Sequence, residues 1–156
     1  MSGKSQMKIF YFAYGSNMNP QRMIVREAFF TERVGAKLPG YKLVFNFRRS
    51  RNPGESAANI VPDPGDCVEG ALYLTDEDAL SKLDVFEGCP NHYRREEVTV
   101  VTKDGREIKA LVYIANDDKT ADGLKPSKEY LGHLLAGQDL LSENYYNNLQ
   151  NTQTLD

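Results

Sequence analysis

The apolar run Ile9–Phe10–Tyr11–Phe12–Ala13 reads as a buried strand, and it closes on Tyr14, Gly15, Ser16 and Asn17. The chain then turns into Asn19–Pro20–Gln21–Arg22–Met23, a helix start with Asn19 as N-cap and Pro20 at the first helical position, where a missing N–H is harmless. A second strand is predicted from about Phe29 to Leu38, ending at Pro39–Gly40. Tyr41 to Phe47 alternates in strand fashion, and Ala57 to Val61 is a shorter strand stopped by Pro62–Asp63–Pro64–Gly65–Asp66. Val68, Gly70, Leu72 and Leu74 share one strand face, with the glycine expected where another backbone or a ligand comes close.

Thr75–Asp76–Glu77–Asp78 resembles a capping box, so a helix is predicted from there to Phe86 or Glu87, with Gly88 as its stop. Val98, Val100 and Val101 lead into Lys103–Asp104–Gly105–Arg106, and Ile108, Ala110, Val112 and Ile114 lead out. Asp-Gly between alternating runs signals a hairpin. After a polar loop at Asn116 to Lys125, helices are predicted from Pro126 to Ala136 and from Ser142 to Leu149. This order predicts an α+β fold with a mixed, largely antiparallel sheet and no Rossmann alternation. One domain over residues 7–150 is expected, with 151–156 a frayed tail.

Composition narrows the function classes. The 156 residues fit one domain, and a net charge of -3 argues against a basic nucleic-acid footprint. Arg48, Arg49 and Arg51 form the tight basic cluster, and Asn52–Pro53–Gly54 beside them is turn chemistry, so a solvated loop is expected. Cys67 and Cys89 fall short of a disulfide framework. Cys89 and His92 have ligand-like spacing without further ligands, so no metal or cofactor is expected. Lys4 and Lys8 precede an apolar run too short for a signal segment, and no stretch approaches a membrane span. A reduced cytoplasmic protein with neither nucleic-acid nor membrane partners is the simplest expectation.

Two features carry chemistry. A strand running through Gly15, Ser16 and Asn17 toward a helix start leaves clustered backbone N–H groups, a small concavity suited to a carboxylate or a developing oxyanion. In the helix after Thr75, Leu80 and Leu83 mark the apolar stripe. Glu87, seven residues beyond the first and four beyond the second, falls on that same face. Burial and the negative end of the helix dipole both raise a carboxylate's pKa, so Glu87 has the makings of an acid–base group, although most glutamates at helix ends point to water.

Phe12–Ala13–Tyr14–Gly15–Ser16–Asn17 resembles the opening signature of the gamma-glutamylcyclotransferase family, and Leu83–Asp84–Val85–Phe86–Glu87–Gly88 followed by Tyr93 resembles the stretch holding that family's catalytic glutamate. Ala28–Phe29–Phe30, Pro64–Gly65–Asp66 before Val68 and Gly70, Tyr113, and Pro126–Ser127 with Tyr130 continue the similarity, which covers about Phe10 to Leu149. The resemblance implies a small, strongly bent sheet or β-barrel carrying peripheral helices. It implies Glu87 as the catalytic residue and a substrate cavity lined by Tyr14, Gly15, Ser16, Asn17, Tyr93 and Tyr113. For the two later tyrosines, core aromatics with a hydroxyl at the surface is the competing reading.

The same resemblance implies conversion of gamma-glutamyl amino acids, or other gamma-glutamyl amines, to 5-oxoproline and a free amine, and it leaves a homodimer open. Relatives specialised for gamma-glutamyl-epsilon-lysine look like Val-Tyr-Gly-Thr-Leu at the first motif, unlike Ala13–Tyr14–Gly15–Ser16–Asn17. The loops Arg48 to Ser56 and Asn116 to Lys125 are expected to shape the leaving-amine pocket. The non-enzymatic alternative is a binding module of this fold for a carboxylate-bearing metabolite or protein partner. A hydrolase using Ser16 would need His92 or His133 as base and lacks the second glycine of a nucleophile elbow. A Walker A loop is absent from the sequence.

Overall fold

The computed structural model describes residues 7–49 and 52–156; Lys4, Ser50 and Arg51 lie outside them. Strand β1 (Lys8–Ala13) leads through a 3-10 turn (Ser16–Met18) into helix α1 (Pro20–Val25). The long strands β2 (Glu32–Arg48) and β3 (Ser56–Asp76) follow, then helix α2 (Glu77–Glu87) and the hairpin β4 (Tyr93–Thr102) and β5 (Glu107–Ala115). Helices α3 (Lys128–Leu135) and α4 (Glu143–Gln150) finish the chain. The strands close into a barrel in the order β1-β3-β2-β4-β5. All neighbouring pairs are antiparallel except β5 with β1, which meet in parallel at Tyr11 and Leu111.

The helix boundaries follow their caps. The Asn19 side chain accepts from the Gln21 N–H at the start of α1, Asp76 caps α2, and Ser127 and Ser142 cap α3 and α4. Gly88 takes the left-handed conformation, φ 66°, that ends α2. The Cys89 N–H then returns to the Asp84 carbonyl at 2.9 Å, and the Gly88 N–H to Val85 at 3.3 Å, a Schellman closure.

Two stops expected from proline and glycine are instead kinks. Strand β2 runs through Pro39–Gly40, and β3 runs through Pro62 to Asp66, where the expected second and third strands merge and the fourth and fifth merge likewise. Pairing passes from Pro39 opposite Cys67 to Tyr41 opposite Pro62, so residues 63–66 bulge out while Gly40, at φ 83°, turns the facing strand. Pro64 is tolerated inside that bulge, which asks for no ladder N–H. Beyond the kink, Tyr41–Arg48 and Ser56–Pro62 form an arm that folds over one end of the barrel. Buried Asn59 ties it down, accepting from the Ala115 N–H at 2.9 Å and donating to Asn46 at 3.0 Å.

Phe12, Leu72, Val100 and Val112 are wholly buried on one face of the closed sheet, Tyr73 is buried on the other, and α2 buries Ala79, Leu80 and Leu83. Burying each leucine is worth about 2 kcal/mol. Helix α2 is also clamped by charge: Arg95 on β4 grips Asp84 through Nε–Oδ1 at 2.9 Å and Nη2–Oδ2 at 2.7 Å, and Tyr113 on β5 donates to Asp84 Oδ1 at 2.7 Å. The C-terminal residues expected to fray are hydrogen-bonded, Leu155 N–H to Pro126 at 3.0 Å and Lys128 N–H to the Asp156 carboxylate at 2.9 Å. No helix among the described residues is long and apolar enough to cross a membrane.

Gly70 sits where the backbones of β1 and β3 come together: a Cβ there would strike the Ala13 carbonyl and lie 3.0 Å from the Phe12 ring. Gly70→Ala is expected to destabilise the protein by about 2 kcal/mol, as overpacking of a tight core does. Differential scanning calorimetry should record a melting temperature lowered by roughly 4–8 °C.

Candidate active site

The barrel end under the arm opens into a cavity of about 170 Å³. Tyr14, Gly15, Ser16, Asn17, Glu87, Tyr93 and Tyr113, which the sequence singles out, all line it. So do residues outside the substrate site that the resemblance implies: Tyr11, Arg22, Arg26, Phe47, Arg49, Ala58, Phe86, His92 and Tyr130.

Glu87 enters from the last turn of α2, its side chain 18% exposed. Its Oε2 lies 3.5 Å from Asn17 Nδ2 and 3.7 Å from Arg26 Nη1. Arg26 also donates to Asn17 Oδ1 at 3.0 Å, which turns the other end of that amide toward Glu87 and toward the Tyr11 hydroxyl, 3.0 Å away. The Tyr73 hydroxyl holds the Asn17 carbonyl at 2.6 Å from below. Burial pushes the Glu87 carboxyl above the ordinary carboxylate range; Arg26 and Arg22 pull it back, and Asp84 adds to the rise.

The loop from Gly15 to Asn19 is compact. The 3-10 turn closes with Met18 N–H on the Gly15 carbonyl and Asn19 N–H on Ser16, at 3.0 and 3.2 Å. The amides of Gly15, Ser16 and Asn17 precede those donors at the head of the turn. Gly15 has φ -112°, outside the left-handed region. A Cβ at position 15 would stand 3.3 Å from the Tyr130 hydroxyl and 3.4 Å from the Ala58 Cβ.

Tyr93 and Tyr113 bring rings to the cavity while their hydroxyls bind protein. Tyr93 donates to the Ala58 carbonyl at 2.7 Å, and Tyr113 donates to Asp84 and Leu80, while its backbone carbonyl accepts from Tyr14. Both are core aromatics whose rings form the cavity wall, with hydroxyls bonded to protein rather than at the surface. Ser16 has neither histidine as a hydrogen-bond partner. His133 is held by Asn19 and Arg22 at 3.1 and 3.4 Å, and His92 packs edge-on against Phe47. Among the described residues, no group of three or more His, Cys, Asp or Glu side chains converges as metal ligands would.

Arg48 and Arg49 are exposed, as a solvated loop requires, and Arg49 also borders the cavity. It lies 5.5 Å above the Tyr130 ring and 3.5 Å from Glu55, on the cavity wall, whereas Arg48 binds the Asp118 carbonyl at 2.9 Å. With Arg22 and Arg26 it gives the cavity three guanidinium groups against the one Glu87 carboxylate. Arg22 lies in α1 and Arg26 caps its end four residues on, its N–H bonded to the Arg22 carbonyl at 2.9 Å, so the two stand on one side; that spacing is the signal by which both could be found. Arg49 has no local signal, because the fold of the arm puts it there.

Residues 11–132 match the family model described as gamma-glutamyl cyclotransferase, AIG2-like. The chain is 31% identical over 137 residues to the gamma-glutamylcyclotransferase of Homo sapiens, covering 83% of this chain and 70% of that protein. It is 32% identical over 133 residues to the one of Mus musculus, covering 83% and 69%. A solved structure titled gamma-glutamyl cyclotransferase superposes with a TM-score of 0.83 at 26% identity, covering 96% of this chain and 90% of that one. The barrel, the loop at Gly15 to Asn17 and the glutamate at the end of α2 thus occur in a chain that belongs to the gamma-glutamyl cyclotransferase, AIG2-like family.

Proposed function

We propose that this protein converts gamma-glutamyl amino acids, or related gamma-glutamyl amines, to 5-oxoproline and the free amine, with Glu87 as general acid and base. The observation that carries this reading is the Glu87 carboxylate, held at the cavity by Asn17 and Arg26, with burial raising its pKa. A gamma-glutamyl amide contains its own nucleophile. Its alpha-amine attacks the gamma-carbonyl, a five-membered lactam closes, and the bond to the departing nitrogen breaks.

Proton balance defines the task of the enzyme. The alpha-amine begins as an ammonium and loses two protons on the way to the lactam N–H, while the departing nitrogen gains two on becoming an ammonium. One carboxylate that takes and returns each proton closes the cycle, and a raised pKa brings it nearer the amine it must deprotonate. Holding the glutamyl chain folded contributes the rest, since effective molarities for well-oriented intramolecular attack reach about 10⁵ M or more. The amides of Gly15, Ser16 and Asn17 grip the alpha-carboxylate, and the surrounding guanidinium groups favour an anionic substrate.

Glu87→Gln keeps the shape of the side chain and cannot carry a proton. Its turnover is expected to fall at least about 10²-fold with the melting temperature little changed, the range for general acid–base groups. A variant with more than about a tenth of wild-type turnover removes Glu87 from this role.

Incubation with a panel of gamma-glutamyl dipeptides, followed by mass spectrometry, is expected to yield 5-oxoproline. Alpha-linked glutamyl dipeptides and N-acetylated gamma-glutamyl compounds are expected to be inert, because they lack the linkage or the nucleophile. Free glutamate as the product would replace cyclisation with hydrolysis, and no turnover of the panel would leave the binding-module reading.

Gly15→Val pushes branched carbon toward the Tyr130 hydroxyl and Ala58, which a Cβ already meets at 3.3 and 3.4 Å. The KM for a gamma-glutamyl dipeptide is expected to rise about tenfold or more, while thermal unfolding shifts by only a few degrees. An unchanged KM would make the loop a simple turn.

A further inference from the structure

The cavity-lining tyrosines divide by what their hydroxyl protons do. Tyr14 donates to the Tyr113 carbonyl, Tyr93 to the Ala58 carbonyl, and Tyr113 to Asp84 and the Leu80 carbonyl. Tyr11 and Tyr130 instead accept: Tyr11 from Asn17 Nδ2 at 3.0 Å, and Tyr130 from the Ala58 N–H at 2.9 Å. A phenol accepts and donates at once, so each of these two has a proton committed to no other group among the described residues.

Their positions differ. The Tyr130 hydroxyl stands against Gly15, on the side of the anion loop. The Tyr11 hydroxyl shares one amide nitrogen, Asn17 Nδ2, with Glu87 Oε2, the contacts being 3.0 and 3.5 Å. Asn17 cannot take the Tyr11 proton, because Nδ2 is a donor and Oδ1 faces Arg26 at 3.0 Å. Tyr11 is only 4% exposed and is fixed as a ring between Tyr73, stacked at 6.0 Å, and Tyr113, edge-on at 5.7 Å. A buried hydroxyl with a free proton is thus held beside the carboxylate that moves protons.

We propose that Tyr11 is a further catalytic residue, whose hydroxyl donates a hydrogen bond to the gamma-carbonyl oxygen of the substrate and stabilises the oxyanion formed when the alpha-amine attacks. This rests on the cyclisation proposed above. Glu87 must reach the attacking and departing nitrogens, and in the tetrahedral intermediate both are bonded to the carbon that bears the oxyanion. A donor adjacent to Glu87 is therefore adjacent to that oxygen. Burial and the nearby Glu87 charge raise the Tyr11 pKa, so the phenol stays neutral and keeps the proton it offers. A preformed donor of this kind acts most strongly where water is excluded.

Tyr11→Phe retains the ring and its packing and removes only the hydroxyl; Asn17 keeps Glu87 as an acceptor. Steady-state kinetics on a gamma-glutamyl dipeptide, with 5-oxoproline quantified by mass spectrometry, are expected to give a kcat lowered about 10²-fold, the loss typical of one oxyanion donor. The KM is expected to stay within about threefold, because an interaction made only in the transition state lowers kcat and kcat/KM together. A kcat above about a tenth of wild type, or a loss confined to KM, overturns the assignment. If Glu87→Gln is inactive while Tyr11→Phe is not, the Tyr11 role alone fails. If the wild type forms no 5-oxoproline from any gamma-glutamyl dipeptide, the cyclisation fails and Tyr11's role with it. Should Tyr11→Phe not fold, Tyr11→Met fills the site with a flexible apolar chain and is read by the same criteria.

Discussion

The contact on which the site depends is the grip of Arg95 and Tyr113 on Asp84. Helix α2 meets the barrel through Ala79, Leu80 and Leu83, a surface that limits its distance from the sheet but only weakly its rotation and slide. The bidentate pair with Arg95, at 2.9 and 2.7 Å, adds direction, since a planar guanidinium and a carboxylate meet well in few orientations. Asp84 lies one turn before Glu87, and its carbonyl also receives the Cys89 N–H that closes the helix end. Cross-strand pairing of Arg95 with Tyr113 in β4 and β5 brings both ligands of Asp84 to the same place. The position of the Glu87 carboxylate is thereby tied to the register of a hairpin.

Around Glu87 the charges are arranged against one another. Burial raises its pKa, whereas Arg26 and Arg22 favour the anion. Neither influence alone suits proton exchange: unopposed burial would leave a neutral acid, and unopposed arginines would leave a carboxylate too weak to take a proton. Asn17 mediates between them. One end of its amide meets Arg26 and the other meets Glu87 and Tyr11, while Tyr73 holds its backbone carbonyl. The same residue belongs to the Gly15 to Asn17 loop, so loop and carboxylate are held by one set of bonds.

The residue kinds and spacings along the chain determined much of this. Asn19–Pro20, Asp76 with Gly88, Ser127 and Ser142 mark helix ends because capping is a local transaction between a side chain and the next few amides. The Lys103 to Arg106 hairpin is equally local, and Glu87 on the Leu80 and Leu83 face follows from helical period alone. Gly70 carried its meaning too, a glycine at a close backbone approach. The resemblance of two separated motifs named the family that the comparisons support.

Only the tertiary structure decided the cavity wall. Pro39–Gly40 and Pro62 to Asp66 have the composition of turns, and whether such a segment ends a strand or kinks it depends on which strand lies opposite, a non-local matter. Because they are kinks, β2 and β3 continue into an arm, and the arm delivers Phe47, Arg49 and Ala58 to the cavity. Tyr11 was legible as buried, but period-two alternation is silent when both faces of a strand are apolar, so the partner of its hydroxyl had to come from the fold. Sequence determined which elements form and which carboxylate lies on a buried face. Packing between distant segments decided what that carboxylate faces, because hydrogen-bond partners and desolvation are properties of neighbours in space.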